Sequence, residues 1–165
     1  MERGAEGHYG TMTMPELYNL PVGAWGLDDS HLYLWTTNAF MAEAHKLAEM
    51  WGYTPRTILT WIKGHVDHGR LVQQIGMGHF YRNSTEHILF CVRGRLDTKR
   101  ADMPTAFVWP RHAHSEKPAA FYDMVETMSH GPYLDVFART QRLRWDTWGN
   151  EAFDFREHGI WHQEG

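Results

Sequence analysis

The sequence contains a single cysteine, Cys91, among its 165 residues. One thiol cannot form an intramolecular disulfide, so a disulfide framework is excluded, and its apolar, strand-like surroundings predict a buried thiol. No apolar run approaches the roughly 20 residues that cross a bilayer, and the amino terminus lacks the basic and apolar regions of a signal peptide. We therefore expect a soluble cytoplasmic protein with no membrane partner.

An excess of positive charge is also lacking. Sixteen Lys and Arg stand against 20 Asp and Glu, which gives a formal net charge of -4. This balance argues against a nonspecific DNA coat, although a local basic face would suffice to contact phosphates. With 42% hydrophobic and 14% aromatic residues, the chain can build a core. We find no repeat, low-complexity tract or linker, so we predict one domain over residues 1–165.

Twelve histidines raise the question of a metal site. The close pairs are His65 with His68 and His112 with His114. No paired cysteine or third ligand at a recognisable interval accompanies either pair, whereas ordinary zinc sites need three or four ligands. We therefore predict solvated or hydrogen-bonding histidines and no metal.

Helical and strand-like segments alternate along the first two thirds of the chain. Thr13 and Glu16 form a capping box for a short helix that ends near residue 20. A strand over 32–36, a helix over 39–51 and a strand over 57–62 make a crossover, the unit of a parallel sheet. Residues 64–78 are polar and glycine-rich and read as a loop. Further strands are predicted over 85–92 and 106–109.

The final third, residues 114–151, reads as helix, strand, turn and strand. Apolar residues at helical spacing follow Pro118 and end at Gly131 and Pro132. The compact apolar run 133–138 then predicts a buried strand. The carboxyl ends of strands form the ligand crevice in open α/β sheets. We therefore expect Arg139, Asn150 and Glu151 to face one nucleotide-like ligand.

The same residues carry a resemblance to a known family. In the final third, the matching strings are His-Ser-Glu-Lys-Pro at 114–118, Gly-Pro at 131–132, Leu-Asp-Val-Phe-Ala-Arg at 134–139, and residues 145–151. Six earlier segments also match, in the order in which that family has its motifs: residues 8–12, 32–35, 51–53, 61–63, 76–82 and 86–87. This ordered set resembles the MT-A70 family of adenine N6-methyltransferases, which includes the catalytic subunit of the eukaryotic messenger-RNA methyltransferase and many bacterial and phage DNA enzymes. The resemblance covers nearly the whole chain.

The resemblance implies a Rossmann-like α/β fold with a mostly parallel sheet flanked by helices, and S-adenosylmethionine as the cofactor. It places a set of polar residues around that cofactor, namely Lys117, Asp135, Arg139, Arg142, Asn150 and Glu151. Carboxylates would bind ribose hydroxyls or the ammonium group, and amide or cationic groups the other polar edges. The alternative is surface ion pairing for Lys117 and Arg139 and turn chemistry for Asn150.

For the target adenine, the resemblance suggests aromatic faces from Tyr9 and Trp61 and a donor from Lys63. An adenine presented to an enzyme must be held unstacked and read along its edge. Trp61, in a strand, is alternatively a core residue. The segments 76–82 and 95–100 would follow the nucleic-acid backbone, or be simply solvated.

One departure from the family concerns its Asp-Pro-Pro-Trp signature. It should lie a short loop upstream of His8 and Tyr9, and residues 1–7 do not contain it. We therefore expect an N-terminally truncated fold and assign no catalytic residue. In the family this segment also supplies a strand between the equivalents of 134–138 and 32–36, so we expect a gap or a rearranged strand pairing there.

The predicted function is S-adenosylmethionine-dependent methylation of the N6 amino group of adenine in nucleic acid. DNA is favoured over RNA because the motif variants look bacterial or phage-like. The alternative is a noncatalytic paralogue that binds nucleic acid or a methyltransferase partner. Either protein would be compatible with a homodimer or a heterodimer.

Overall fold

The computed structural model describes residues 13–111, 116–138 and 140–149. The helices are α1 (Met14–Tyr18), α2 (Val22–Trp25), α3 (Met41–Met50) and α4 (Ala119–Met128), and a short 3-10 helix, Asn38–Phe40, precedes α3. The strands are β1 (Ser30–Thr36), β2 (Thr54–Asp67), β3 (Arg70–Gln73), β4 (Thr85–Arg93), β5 (Ala106–Trp109), β6 (Tyr133–Val136) and β7 (Trp145–Trp148). None of these helices is long and apolar enough to cross a membrane.

Five strands form a mixed sheet in the order β1-β4-β2-β3, with β5 also paired to β2, while β6 and β7 form a separate parallel pair. The expectation of a mostly parallel sheet is wrong. Strand β4 runs antiparallel to both β1 and β2, and β3 runs antiparallel to β2. Antiparallel neighbours need no crossover helix, and none separates β2, β3 and β4 along the chain. The predicted crossover through α3 is present, but β4 lies between its two parallel strands, β1 and β2.

Local signals predict α1, α3 and α4, but not the short helix α2. Glu16 Oε1 accepts the Thr13 N–H at 2.8 Å, and Thr13 Oγ1 accepts the Glu16 N–H at 3.4 Å, which confirms the capping box. Helix α4 begins directly after Pro118 and buries Phe121, Met124 and Val125. The helix predicted in the final third is therefore confirmed.

Helices cover both faces of the five-stranded sheet. On one face, Leu34, Leu89 and Cys91 pack with the buried side of α3, namely Ala44, Leu47 and Ala48. On the other face, Trp35, Ile88 and Trp61 pack against the buried side of α4. The alternation of side chains along each strand produces these two cores. The α/β class is confirmed, and Cys91 is the predicted buried thiol.

The segment predicted as a loop over 64–78 is instead a β-hairpin over much of its length. Strand β2 continues to Asp67 and pairs with β3, with Val66 opposite Leu71. The two turn residues, His68 and Gly69, have φ of 48° and 78°, as expected for a type I′ turn. Because β3 is exposed along its whole length, no apolar alternation marks it in the sequence.

Candidate active site

A cavity of about 610 Å³ separates β1 from β6. It contacts every residue from 30 to 35 on β1 and from 131 to 137 around β6. Successive side chains of a strand point to opposite faces, so a cavity touched by every residue lies along the edge of the strand. The cavity therefore lies edge to edge between the two sheets.

The two strands that flank the cavity each have one strand neighbour among the described residues. Strand β1 pairs with β4, and β6 pairs with β7. The other edge of each strand carries backbone N–H and C=O groups that another strand would normally satisfy. The separation of β1 from β6 agrees with the gap predicted between residues 32–36 and 134–138.

Aromatic and carboxylate side chains line part of this cavity. The rings of Trp25 and Trp148 lie 4.9 Å apart between centroids, and Phe137 lies 5.6 Å from Trp148. The carboxylates of Asp29 and Asp146 also line it, and both residues are exposed. Apolar faces beside a few polar groups are typical of small-molecule sites.

Lys117 and Asp135 are brought together on the cavity wall. Lys117 Nζ lies 2.8 Å from Asp135 Oδ1, and Tyr122 Oη donates to Asp135 Oδ2 at 2.7 Å. Burial raises the pKa of Tyr122 well above its usual range, and the negative Asp135 carboxylate adds to the rise. Both oxygens of Asp135 are therefore occupied, and the cluster joins the start of α4 to β6.

Arg142 is directed toward α4 and is not among the residues that line the cavity. Its guanidinium donates to Asp123 Oδ1 and, at 3.2 Å, to Glu126 Oε2. The Trp145 indole N–H also donates to Glu126 Oε2, at 2.6 Å. That bond is the main cause that lowers the pKa of Glu126, with Arg142 contributing further. In the described structure, Arg142 binds two carboxylates of α4, and one of them, Glu126, also holds Trp145 of β7.

Trp61 and Lys63 lie on β2, which β4 separates from the cavity edge of β1. Trp61 is only 2% exposed and its indole N–H donates to the Trp109 carbonyl at 2.8 Å. Lys63 is buried and forms an ion pair with Glu86 at 2.9 Å. Trp61 thus occupies a core position, the alternative considered for it, and neither residue reaches the cavity that Lys117 and Asp135 line.

Four of the predicted site residues lie outside the described part of the chain. They are Tyr9, Arg139, Asn150 and Glu151. Their contributions to the adenine and cofactor pockets remain predictions, as does the expectation that Arg139, Asn150 and Glu151 face one ligand. Among the described residues, no group of three or more His, Cys, Asp or Glu side chains is placed to hold a metal ion.

A second polar cluster on the cavity wall was not predicted from the sequence. His31 Nδ1 lies 2.7 Å from Ser129 Oγ, and His31 Nε2 lies 2.7 Å from the Leu96 carbonyl. A carbonyl only accepts, so in the neutral imidazole Nε2 carries the proton and Nδ1 accepts from Ser129. Ser129 Oγ then accepts from Tyr33 Oη at 2.7 Å. These bonds join the end of α4 to β1.

The only local signal for this cluster is the spacing of His31, Tyr33 and Trp35, which places them on one face of β1. Burial raises the pKa of Tyr33 to about 12. The Tyr33 hydroxyl is therefore a donor throughout the neutral range. Its partner Ser129 is 98 and 96 residues from His31 and Tyr33, so sequence spacing gave no indication of the contact.

Comparison with known proteins identifies the family. The model of the MT-A70 family matches residues 1–151. The chain therefore belongs to the MT-A70 family, and the resemblance found in its motifs is confirmed.

Three relatives show the range of this similarity. Over 152 residues the chain is 33% identical to the Type II methyltransferase M.MunI of a Mycoplasma species, a match covering 88% of this chain and 60% of that protein. It is 29% identical to the human N(6)-adenosine-methyltransferase catalytic subunit METTL3, over 87% of this chain and 25% of that protein. It is 27% identical to the N6-methyladenosine RNA methyltransferase MTA1 of Cryphonectria parasitica, over 86% of this chain and 43% of that protein. The chain thus spans 60% or less of each of these methyltransferases.

Proposed function

We propose that this chain provides most of the catalytic domain of an S-adenosylmethionine-dependent enzyme that methylates the N6 amino group of adenine in nucleic acid. The observation that carries the proposal is the family match across residues 1–151. The proposed substrate is DNA rather than RNA, because the motif variants resemble bacterial and phage members. The names of the relatives include both a Type II methyltransferase and an RNA methyltransferase, so the experiment must compare the two nucleic acids.

The part of the cavity wall formed by Trp25, Asp146 and Trp148 has side chains of the kind that bind the cofactor, beside the strand edges of β1 and β6. Trp25 and Trp148 offer aromatic faces for an adenine ring, and Asp146 offers a carboxylate for ribose hydroxyls or an ammonium group. S-adenosylmethionine supplies a methyl group activated by its sulfonium.

The residues predicted to contact the cofactor divide into two groups in this proposal. Lys117 and Asp135 line the cavity but neutralise each other, so their contribution includes holding β6 in place. Arg139, Asn150 and Glu151 follow β6 and β7 in the sequence and are proposed to bind the cofactor directly. Arg142 is proposed to orient β7 through its bonds to Asp123 and Glu126 on α4.

The amino group of the target adenine needs hydrogen-bond acceptors that make its lone pair available for attack. The family resemblance assigns this role to Asp-Pro-Pro-Trp, a sequence that does not occur in residues 1–165. We infer that the strand leading into that signature fits between β1 and β6. The cavity along both strand edges supports this position.

The second candidate function is a noncatalytic subunit that binds nucleic acid or a methyltransferase partner, as a heterodimer or homodimer. In this candidate, residues 1–165 act without an Asp-Pro-Pro-Trp sequence, which they do not contain. The two candidates differ in the sequence encoded immediately upstream of Met1. An in-frame Asp-Pro-Pro-Trp there supports a methyltransferase, and its absence supports the noncatalytic subunit.

The deciding experiment is a methyl-transfer assay on adenine-containing DNA and on RNA of the same sequence, with N6-methyladenine measured by mass spectrometry. We expect residues 1–165 alone to bind S-adenosylmethionine weakly, to transfer no methyl groups and to aggregate through the open strand edges. A chain extended upstream through Asp-Pro-Pro-Trp should regain cofactor binding, methylate DNA faster than RNA and remain soluble. Turnover by residues 1–165 above a no-enzyme control would show that the absent loop is dispensable.

A further inference from the structure

Residues 64–84, which we call the arm, extend away from the two cores. The arm comprises the end of β2, strand β3 and the loop that returns to β4. Seven of its apolar side chains are exposed, by 40% to 90%, namely Val66, Leu71, Val72, Ile75, Met77, Phe80 and Tyr81. Large exposed apolar patches on a soluble protein mark binding surfaces. The exposed apolar side chains of the arm therefore indicate a binding surface.

The end of the arm, residues 76–83, is a closed loop with defined hydrogen bonds. The Gly76 N–H donates to the Asn83 carbonyl at 2.6 Å, and the Asn83 N–H donates to the Met77 carbonyl at 3.2 Å. A Cβ atom on Gly78 would lie 1.8 Å from the Tyr81 carbonyl oxygen, so a larger residue cannot occupy this position without movement of the backbone. The backbone of the loop is therefore constrained, which lowers the entropic cost of ordering it on binding.

Two neighbouring aromatic rings dominate this loop. Phe80 is 89% exposed and Tyr81 is 90% exposed. The Phe80 ring lies beside the His79 ring, with 4.6 Å between the ring centroids. Aromatic rings normally contribute large buried areas to a fold, so two consecutive rings exposed to this extent are available for a ligand.

Charge distinguishes the arm from the rest of the chain. Residues 64–84 contain Arg70 and Arg82 against one carboxylate, Asp67, a formal charge of +1. The whole chain carries -4, so the remaining residues carry -5. An aromatic pair beside arginine on an otherwise acidic chain is complementary to a nucleic-acid strand, whose bases offer π faces and whose phosphates are negative.

We propose that Phe80 and Tyr81 form a platform on which unpaired bases of a single-stranded or locally opened nucleic acid stack, with Arg82 contacting the backbone. This inference rests on the proposed function, since a methylated adenine must leave the stack and its neighbours then present unpaired faces. Stacking on aromatic side chains tolerates any base, because every base has a π face. The platform therefore supplies affinity rather than sequence recognition.

The test is fluorescence anisotropy with a labelled 12-nucleotide single strand and the full 165-residue chain, taken as the monomer fraction from gel filtration so that aggregation through the strand edges does not contribute. The double variant Phe80→Ala/Tyr81→Ala should weaken binding by about tenfold or more, as expected when stacking on two rings is lost. Thermal unfolding should be unchanged, because both side chains are almost fully exposed. Met50→Ala is the matched control, since Met50 on α3 is also exposed, by 66%, and lies outside the arm.

A second variant distinguishes stacking from general apolar contact. Phe80→Leu/Tyr81→Leu keeps apolar side chains but removes both rings, so it should bind as weakly as the alanine variant. If the leucine variant instead binds like the unchanged chain, stacking is wrong. Self-association that disappears in the alanine variant while its nucleic-acid affinity is unchanged would also overturn the inference, in favour of a second copy of this chain.

The inference and the proposed function fail in different ways. Equal binding by the unchanged chain and the alanine variant would remove the platform but would not affect methyl transfer by the upstream-extended chain. Failure of the unchanged chain to bind the single strand would likewise remove the platform without affecting methyl transfer by the upstream-extended chain. Conversely, loss of binding in the alanine variant supports the platform even if no methyl transfer is detected.

Discussion

Lys117 Nζ lies 2.8 Å from Asp135 Oδ1, and both side chains are about nine-tenths buried. The pair connects the residue before Pro118 to the middle of β6. Burying these two charges costs desolvation free energy, which their mutual attraction offsets. Removing one partner therefore leaves a buried charge without its counterion. The contact therefore fixes the position of β6 beside the cavity.

Lys117→Met should lower the free energy of unfolding by about 3–5 kcal/mol, the range measured when one partner of a buried pair is removed. The measurement is urea denaturation monitored by tryptophan fluorescence. Arg100→Met is the control, because Arg100 forms its ion pair with Asp102 on the surface. A Lys117→Met loss as small as that of the control would show that the buried pair does not hold β6.

Ser129→Ala should destabilise the protein by about 1–3 kcal/mol, because it removes the acceptor of Tyr33 Oη and the donor to His31 Nδ1 together. Thr127→Ala is the control, since the Thr127 hydroxyl donates only to the Asp123 carbonyl within α4. The measurement is the midpoint of thermal unfolding, which should be lower for Ser129→Ala than for Thr127→Ala. Equal midpoints for the two variants would show that the cluster contributes little.

Alkaline pH should destabilise the fold. Burial raises the pKa of the Cys91 thiol from 9.0 to about 12, and that of Tyr33 from 10.0 to about 12. Because both folded-state values are raised, the unfolded chain loses these protons first, and stability falls as the pH rises from about 9 toward 12. Denaturation midpoints between pH 8 and 11 measure the decline, and Cys91→Ala should make it shallower. An unchanged slope in that variant would show that the thiol does not contribute.

Tyr9→Ala tests the adenine pocket in a complete enzyme. If Tyr9 frames the adenine, the variant should impair methylation while leaving S-adenosylmethionine affinity largely intact. Paired measurements of methyl transfer and of cofactor binding by calorimetry provide the comparison. Equal losses in both would make Tyr9 a structural residue.

Short-range patterns predicted the elements whose signals lie within a few residues of one another. Strand β5 and the start of β4 were placed correctly, and Thr13 with Glu16 marked the start of α1. The strand β2 was predicted too short, and the hairpin with β3 was missed. In both cases the exposed residues lack the alternation that burial imposes on a strand.

The candidate site was only partly predictable for a similar reason. Motif resemblance selected Lys117 and Asp135, and the structure brings them together on one cavity. It also selected Trp61 and Lys63 for the adenine pocket, which stays a prediction; the sheet order places both on β2, away from the cavity that Lys117 and Asp135 line. A motif identifies residue types in order, but it does not state which edge of a sheet each strand occupies.

The sequence alone determined the family, the α/β class, the buried thiol and most local elements, because periodicity, caps and ordered motifs are properties of neighbouring residues. The tertiary structure alone decided the antiparallel pairing of β4, the cavity between β1 and β6, and the contact of His31 with Ser129 across 98 residues. Side-chain alternation is the same in parallel and antiparallel strands, so only the folded chain fixes their direction and partners.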